Sequence, residues 1–477
     1  MDKSIMQFYR QLDDDTLRKF WESGGVIEGV EYPIAETFLH THTDLGSPKD
    51  AILTVPEYIE TAAAMGASSV SITDHGTMYG VIPLYKACED YNSKVQDDEK
   101  IKCIIGVEFY VCEDLDSEIK KKHTRLHLIA YAKDQIGYKT LCRLVTTSNK
   151  HLIKVGGNNY PCISKKDLEQ YLAPGAEGHD HVILTSACIG GVVAGIMFVS
   201  DTEQQTYERL QATIADLNQY KEGLEYQTKR LAELEDKKAA LTQLSKKVYK
   251  KRIKELEKNP DDAKMSELQQ EMQESEQAKQ ELPRYQTMIK EVKKAAKVIK
   301  DNIEKILKKE DSTDIDDVLV KLNSACEKSK SEIITDDVVE SAFLKEMEYY
   351  QNLAGKGNWY IEVQYHGLMQ EKKYMHILAK LAHQLDIPLV AANDAHMARR
   401  DMCEARKIVN ALRFDAKWEG PTEDEYELYL KTDAQLYQWL CKAITPSDAF
   451  EAMKNRALIT SVCNVKLVKE KHYPVFK

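Results

Sequence analysis

The stretch Phe38-Leu39-His40-Thr41-His42-Thr43-Asp44 sets two imidazoles two residues apart, directly after an apolar pair. On extended backbone alternate residues share a face, so both rings can reach one metal ion. Alone, such a pair is more often ordinary half-buried histidine; its company gives it weight. Ser71-Ile72-Thr73-Asp74-His75-Gly76 places a carboxylate and an imidazole before a glycine that allows a tight turn. Asn393-Asp394-Ala395-His396 repeats the idea as DxH, and Glu108 adds a carboxylate able to bridge ions. Imidazole with carboxylate suits zinc, manganese or iron, whereas an all-oxygen shell would favour magnesium or calcium. The set is too large for one ion. Two or three ions packed a few Å apart hold a phosphate oxygen, activate water and stabilise a leaving alkoxide, so phosphoester hydrolysis is the chemistry expected. Cys188, in TSACIGG, suits either a thiolate zinc ligand or a buried small residue. A nucleophilic Cys188 is disfavoured because its own segment offers no base.

Elements must bring these remote residues together. Apolar runs rich in β-branched and aromatic residues mark strands at 36–40, 69–73, 103–110, 125–131, 181–186, 359–364 and 387–393. Helical patterns such as 55–65 and 374–381 alternate with them, which points to an α/β protein with a parallel sheet, open or closed into a barrel. His40 and His42 end the first strand, and Asp74 and His75 follow the second. Cys188, His366, and Asp394 with His396 follow the last three, while Glu108 and His127 lie within the third and fourth. In a parallel barrel the C-terminal strand ends converge on one face, where such enzymes keep their chemistry.

Residues 203–334 break this pattern. Leu210, Ile214, Leu217, Leu224 and Leu231 recur at seam spacing among Glu, Gln and Lys, as one arm of a coiled coil requires. Asn259-Pro260-Asp261-Asp262 supplies a turn, and a return arm runs from Met265 to Ile306, with a kink expected at Pro283. The first arm would extend roughly 80 Å at 1.5 Å per residue. This long antiparallel hairpin is read as an insertion, serving either as a spacer or as a docking surface for a protein partner. The division expected is an N-terminal helical extension (1–35), a domain in two parts (36–202 and 335–477) and the hairpin (203–334).

At 477 residues and 43% hydrophobic, the chain can bury a large core. A formal charge of -11 argues against bulk electrostatic binding to nucleic acid while leaving room for a local basic groove. Its 10 cysteines form no CxxC pair, as expected of reduced thiols in a cytoplasm. The start lacks a signal-peptide core and no apolar run reaches membrane-spanning length, so a soluble cytoplasmic protein without a membrane partner is expected.

The stretches FLHTHTDLGSPKDA, SITDHGTMYGVIPLYKA, CIIGVEFYV, RLHLIAYAKDQIGYKTLCRLV, VILTSACIGG, WYIEVQYHGL and IPLVAANDAHM occur here in one order. In them the chain resembles the PHP (polymerase and histidinol phosphatase) domain, in the form carried by the alpha subunit of bacterial C-family DNA polymerase III. The resemblance covers about 36–200 and 335–470. It implies a distorted seven-stranded TIM-like barrel with a trinuclear centre of two to three divalent ions (Zn, Mn or Fe). It assigns as ligands His40, His42, Asp50, His75, Glu108, His127, Cys188, Asp394 and His396, with Asp44 a competitor for the place of Asp50. The chain ends at HYPVFK, about where such a domain should end, and the palm, fingers and thumb of the polymerase are absent, so nucleotide addition is not expected. The activity implied is a metal-dependent phosphoesterase, foremost a 3'-5' DNA exonuclease proofreading for a separate polymerase or replisome protein. His366 and Asp394 are its expected catalytic residues, His366 to protonate or orient the leaving group or else to support its turn. The alternatives are a scaffold subunit of a split polymerase and a small-molecule phosphatase of the histidinol phosphatase type.

Overall fold

The structure is a computed structural model and describes residues 3–112, 125–155, 158–247, 249–332, 336–414, 418 and 420–468. Two compact units emerge, one formed by Met1–Val199 with Ile334–Lys477 and the other by Ser200–Ile333.

The first unit opens with helices α1 (Lys3–Arg10) and α2 (Asp14–Glu22), then a ribbon of β1 (Val26–Ile27) and β2 (Val30–Glu31). The ribbon departs from the all-helical expectation for 1–35. Its turn places Glu28 and Gly29 at positive φ, the geometry that tight two-residue hairpins need. Asp13 caps α2 by accepting from the Thr16 amide at 2.9 Å, and Trp21 packs buried against Tyr437 and Phe450.

The main sheet follows. Its strands are β3 (Thr37–Phe38), β4 (Ser69–Ile72), β5 (Lys102–Val111), β6 (Leu126–Ala132), the hairpin β7 (Leu152–Val155) and β8 (Asn158–Ile163), then β9 (Val182–Thr185), β10 (Trp359–Val363) and β11 (Leu389–Ala391). Between them run α3 (Val55–Ala64), α4 (Val81–Asn92), α5 (Gln135–Ser148) and α6 (Lys165–Leu172). All seven expected strands are present, in the order β11-β10-β9-β6-β5-β4-β3. Their pairing is parallel except at β6, which runs antiparallel to both β5 and β9. The expected parallel sheet is corrected there. Val111 pairs with Leu126, so the chain doubles back instead of crossing over. His127 thereby starts its strand on the rim where the neighbouring strands end. The β7–β8 hairpin was not expected; β8 adds to β5 in parallel through Tyr110↔Cys162 and Val111↔Ile163.

The sheet is curled. Beyond its edge strands, Thr41 and Ala395 pair in parallel: the His42 amide donates to the Ala395 carbonyl at 2.8 Å, and the Ala395 amide to the His40 carbonyl at 3.1 Å. Leu39, Ile104, Ile129, Ile183, Tyr360 and Val390 form one buried cluster on the inner face. A larger core lies under the helices, where Tyr58, Leu84 and Leu141 are fully buried. Strands covered on both faces read as unbroken apolar runs, which is why they were legible without alternation.

Ser200–Ile333 is helical, built from α7 (Ile196–Ser245), α8 (Lys250–Lys258), α9 (Asp262–Lys309) and α10 (Ile315–Glu332). Leu234 packs with Ile289 and Val292, and Ser275 Oγ donates to the Leu244 carbonyl at 3.0 Å, so α7 and α9 run antiparallel. Three differences from the expected hairpin appear. The first arm breaks between Ser245 and Lys250, α9 continues through Pro283, and α10 joins the packing by burying Val318 and Leu322 against Leu217. The remaining helices of the first unit are α11 (Asp336–Ala354), α12 (Met369–Gln384), α13 (Cys403–Phe414), α14 (Asp433–Leu440) and α15 (Pro446–Val462).

Candidate metal centre

His40 and His42 leave the end of β3 on extended backbone, so both rings point to the same side of the curled sheet. Their Nε2 atoms lie 3.1 Å apart, and each is 3.1 Å from Asp394 Oδ1 in the loop after β11. Glu108, buried inside β5, reaches the same spot: Oε1 is 3.5 Å from His40 Nε2 and Oε2 is 3.7 Å from His42 Nε2. Its other neighbours are His127 Nδ1, at 2.9 Å from Oε1, and His75 Nδ1, which abuts Oε2. Cys188 Sγ lies 3.5 Å from His127 Nδ1. On the outer side Asp50 Oδ2 stands 3.3 Å from His75 Nε2 and 3.1 Å from His396 Nε2. All nine expected ligands thus fall in one cluster, and Asp50 rather than Asp44 reaches it. Three donor groups in it are compact enough to hold an ion: His42–His75–His396, His40–His42–Asp394 and His75–Glu108–His127.

The donors fit cations better than one another. Both Glu108 oxygens, His75 Nδ1 and Asp394 Oδ1 are buried without a hydrogen-bond partner among the described residues, although nitrogens and oxygens crowd them. Lone pairs that converge without aligning as donor and acceptor are what a shared cation would satisfy. Burial by itself would raise the carboxyls of Asp50, Glu108 and Asp394, but the imidazoles around them hold all three well below the usual range. His42 is driven down to about 3 by burial and by His75 and His396, which keeps it neutral, the form that ligates.

A second layer fixes the ring tautomers. His40 Nδ1 is 2.6 Å from Glu362 Oε1, whose other oxygen accepts from Thr185 Oγ1 at 2.7 Å. His396 Nδ1 donates to the Asp394 carbonyl at 2.8 Å. Ser47 Oγ sits 3.2 Å from His42 Nδ1, accepts from the His75 amide at 3.1 Å and donates to Asp74 Oδ1 at 3.0 Å. Each bond leaves the other ring nitrogen for the centre. Asp74 itself turns away, accepting from the Thr43 amide at 2.7 Å and the Thr43 hydroxyl at 2.9 Å, so it shapes the HxH loop. Gly46 is required there because a Cβ would run into the Asp74 carboxylate. Arg406 bonds Asp50 twice, at 2.7 Å to its carbonyl and 2.5 Å to Oδ1. Glu362 and Arg406 escaped the sequence reading. A glutamate inside the apolar run WYIEVQ was a usable signal for the first; nothing local marked the second.

His366, expected either to act on the leaving group or to support its turn, sits against the loop that carries Asp394. It is 5% exposed, and both nitrogens are engaged, Nδ1 with Glu371 Oε1 at 2.7 Å and Nε2 with the Asn393 carbonyl at 2.9 Å. Lys431 Nζ holds Asn393 from the other side, at 3.0 Å from Oδ1. The braced residue precedes Asp394, whose φ of 49° is left-handed, a conformation that aspartate adopts more readily than most residues but still at a cost. His366 therefore props the backbone that presents Asp394.

A cleft of about 640 Å³ opens beside the cluster, with His75, His127 and Asp50 on one side and Lys49, Tyr110, Arg125 and Tyr160 on the other.

Comparison with known proteins bears on this geometry. The family profile described as PHP domain matches residues 39–229. The DNA polymerase III subunit alpha of Campylobacter jejuni is 38% identical over 157 residues, which are 33% of this chain and 11% of that protein. That of Borreliella burgdorferi is 34% identical over 177 residues, 36% of this chain and 14% of the relative. The Helicobacter pylori (strain 26695) subunit is 33% identical over 159 residues, 33% of this chain and 12% of the relative. The chain thus spans about one-ninth to one-seventh of the length of these relatives, between 11% and 14%. No helix among the described residues is long and apolar enough to cross a membrane. Residues 39–229 thus match the PHP domain profile, and about a third of the chain is similar to DNA polymerase III alpha subunits.

Proposed function

We propose that the chain is a divalent-metal-dependent phosphoesterase of the cytoplasm that acts on DNA, removing 3'-terminal nucleotides as a proofreading exonuclease for a separate C-family polymerase. One observation carries this reading: seven donors from five segments converge into three overlapping groups, His42 and His75 each belonging to two of them. Two to three ions (Zn, Mn or Fe), seated where the strands of a distorted seven-stranded barrel end, would be held by His40, His42, Asp50, His75, Glu108, His127, Cys188, Asp394 and His396. Bound there, such ions supply an activated water and neutralise the charge of the scissile phosphate. The protein's own part is to hold the donors in place. Glu362 fixes the His40 ring, Ser47 fixes His42, and Arg406 aligns Asp50. Asp394 stands as the inner carboxylate, shared between His40 and His42.

The test pairs metal content by mass spectrometry with release of nucleotide from a 3'-labelled strand, for wild type and Asp394→Ala. Two or more ions per chain and activity lost in the variant support the hydrolase. A metal-loaded protein that releases nothing favours a second reading, that of a scaffold subunit of a split polymerase, with the helical unit 203–334 gripping the partner. That reading is motivated by the self-contained packing of the insertion and by the kinship with polymerase subunits.

A further inference from the structure

The cleft beside the cluster has a wall that the metal chemistry does not use. It is made by Lys49, next to the ligand Asp50, and by the β7–β8 hairpin with the start of β6. Arg125 sits over the Tyr160 ring, its guanidinium carbon 3.8 Å from the ring centroid. Tyr110 meets Tyr160 edge-on at 5.6 Å, stacks on His75 at 5.6 Å and meets His127 edge-on at 5.2 Å. The row Arg125–Tyr160–Tyr110–His75 therefore runs from a fixed cation to a candidate ligand. Arg125 Nη1 is buried, yet it has no hydrogen-bond partner among the described residues.

A guanidinium stacked on a ring keeps its edge donors available in a fixed plane, and those donors match the oxygens of a phosphate. A bland role, sealing the β7–β8 hairpin onto the sheet, would engage the face and leave no reason to bury an unpaired donor, which costs free energy. The chain carries a net charge of -11, so a polyanion gains nothing from the surface as a whole and must be drawn by local cations. Lys49, which bonds Asn158 of the hairpin, adds a second cation on the same wall.

We propose that Arg125, pre-organised by Tyr160, binds a backbone phosphate of single-stranded DNA next to the scissile one. This rests on the reading of the centre as a DNA phosphoesterase and names the residue that makes a polynucleotide, rather than a small phosphomonoester, the substrate. Arg125 and Tyr160 are positioning residues; neither belongs to the ligand cluster.

The experiment is binding of a 5'-fluorescein single-stranded oligonucleotide with a 3'-terminal phosphorothioate linkage, followed by anisotropy across a salt series in the full chain. Arg125→Gln is expected to weaken binding about tenfold and to flatten the slope of log Kd against log salt by about 0.7, the loss of one phosphate contact. Arg125→Lys keeps the slope but not the full affinity, Tyr160→Ala weakens binding several-fold, and Tyr160→Phe changes nothing. Metal content stays at the wild-type level in all four, which separates lost contact from lost fold. Wild-type affinity and slope in Arg125→Gln would overturn the proposal and leave the phosphoesterase reading standing. A wild-type protein that binds no oligonucleotide yet hydrolyses p-nitrophenyl phosphate would overturn both the proposal and DNA as the substrate, leaving a small-molecule phosphatase.

Discussion

At the scale of single residues, the decisive feature is that the candidate ligands His40, His42 and Asp50 are each aimed by a side chain outside the cluster. Glu362 is the clearest case, a buried carboxylate shared between the His40 ring and the Thr185 hydroxyl. Glu362→Gln keeps the shape and removes the charge that makes His40 a stronger donor. We expect metal affinity, measured by chelator competition, to fall about 10–100-fold; an unchanged affinity would show that the ring is held well enough by packing. The same reasoning makes Gly46→Ala costly without touching a ligand. A Cβ there collides with Asp74, so the loop holding His42 and Ser47 must shift, at about 1–3 kcal/mol in a urea melt. Five of the candidate ligands, His40, His42, His75, Asp394 and His396, were readable because imidazole and carboxylate in HxH, DHG and DxH spacing are scarce patterns. Their supports were not, because a hydrogen bond between residues 322 apart leaves no mark on either neighbourhood.

At the scale of elements, the loop after β11 carries the strained Asp394 and is braced by α12 through His366 and Glu371. Burial would lower the His366 pKa, but the Glu371 carboxylate outweighs it and raises the value above that of a free histidine. Both ring nitrogens donate only while the ring is charged. The stability that this pair adds is therefore fully present below about pH 6.5, and it is lost as pH rises through the raised folded value. Melting curves of wild type and His366→Gln across pH should differ most on the acid side and converge on the alkaline side, by about 1.5–3 kcal/mol for a charged hydrogen bond. A constant gap at all pH would refute a charged His366. Element types were mostly legible: seven apolar runs became seven strands. The reversed direction of β6 and the β7–β8 hairpin were not, since strand direction depends on how a connection is routed and Asn158–Ile163 lacks a long apolar run.

At the scale of the whole molecule, two compact units imply two partly independent unfolding events. Ions that bind the folded first unit stabilise it by mass action, about 2.7 kcal/mol at a hundredfold excess over Kd. Chelation should therefore lower the melting of that unit and leave the helical one in place. Leu217→Ala should do the converse. Leu217 is fully buried against Val318 and Leu322, and truncation should cost the helical unit about 2–5 kcal/mol while metal content is retained. A single transition moved by both treatments would show one cooperative body.

What the sequence determined by itself was the strand inventory and the recurrence of imidazole and carboxylate at strand ends, because composition and spacing encode face and period locally. The tertiary structure alone decided that Asp50 rather than Asp44 reaches the cluster, that Asp74 shapes the loop, that His366 props the backbone and that α10 makes the insertion more than a two-helix hairpin. Each of these turns on which distant segment lies within about 3 Å of a side chain, a distance set by the curl of the sheet and the packing of its helices.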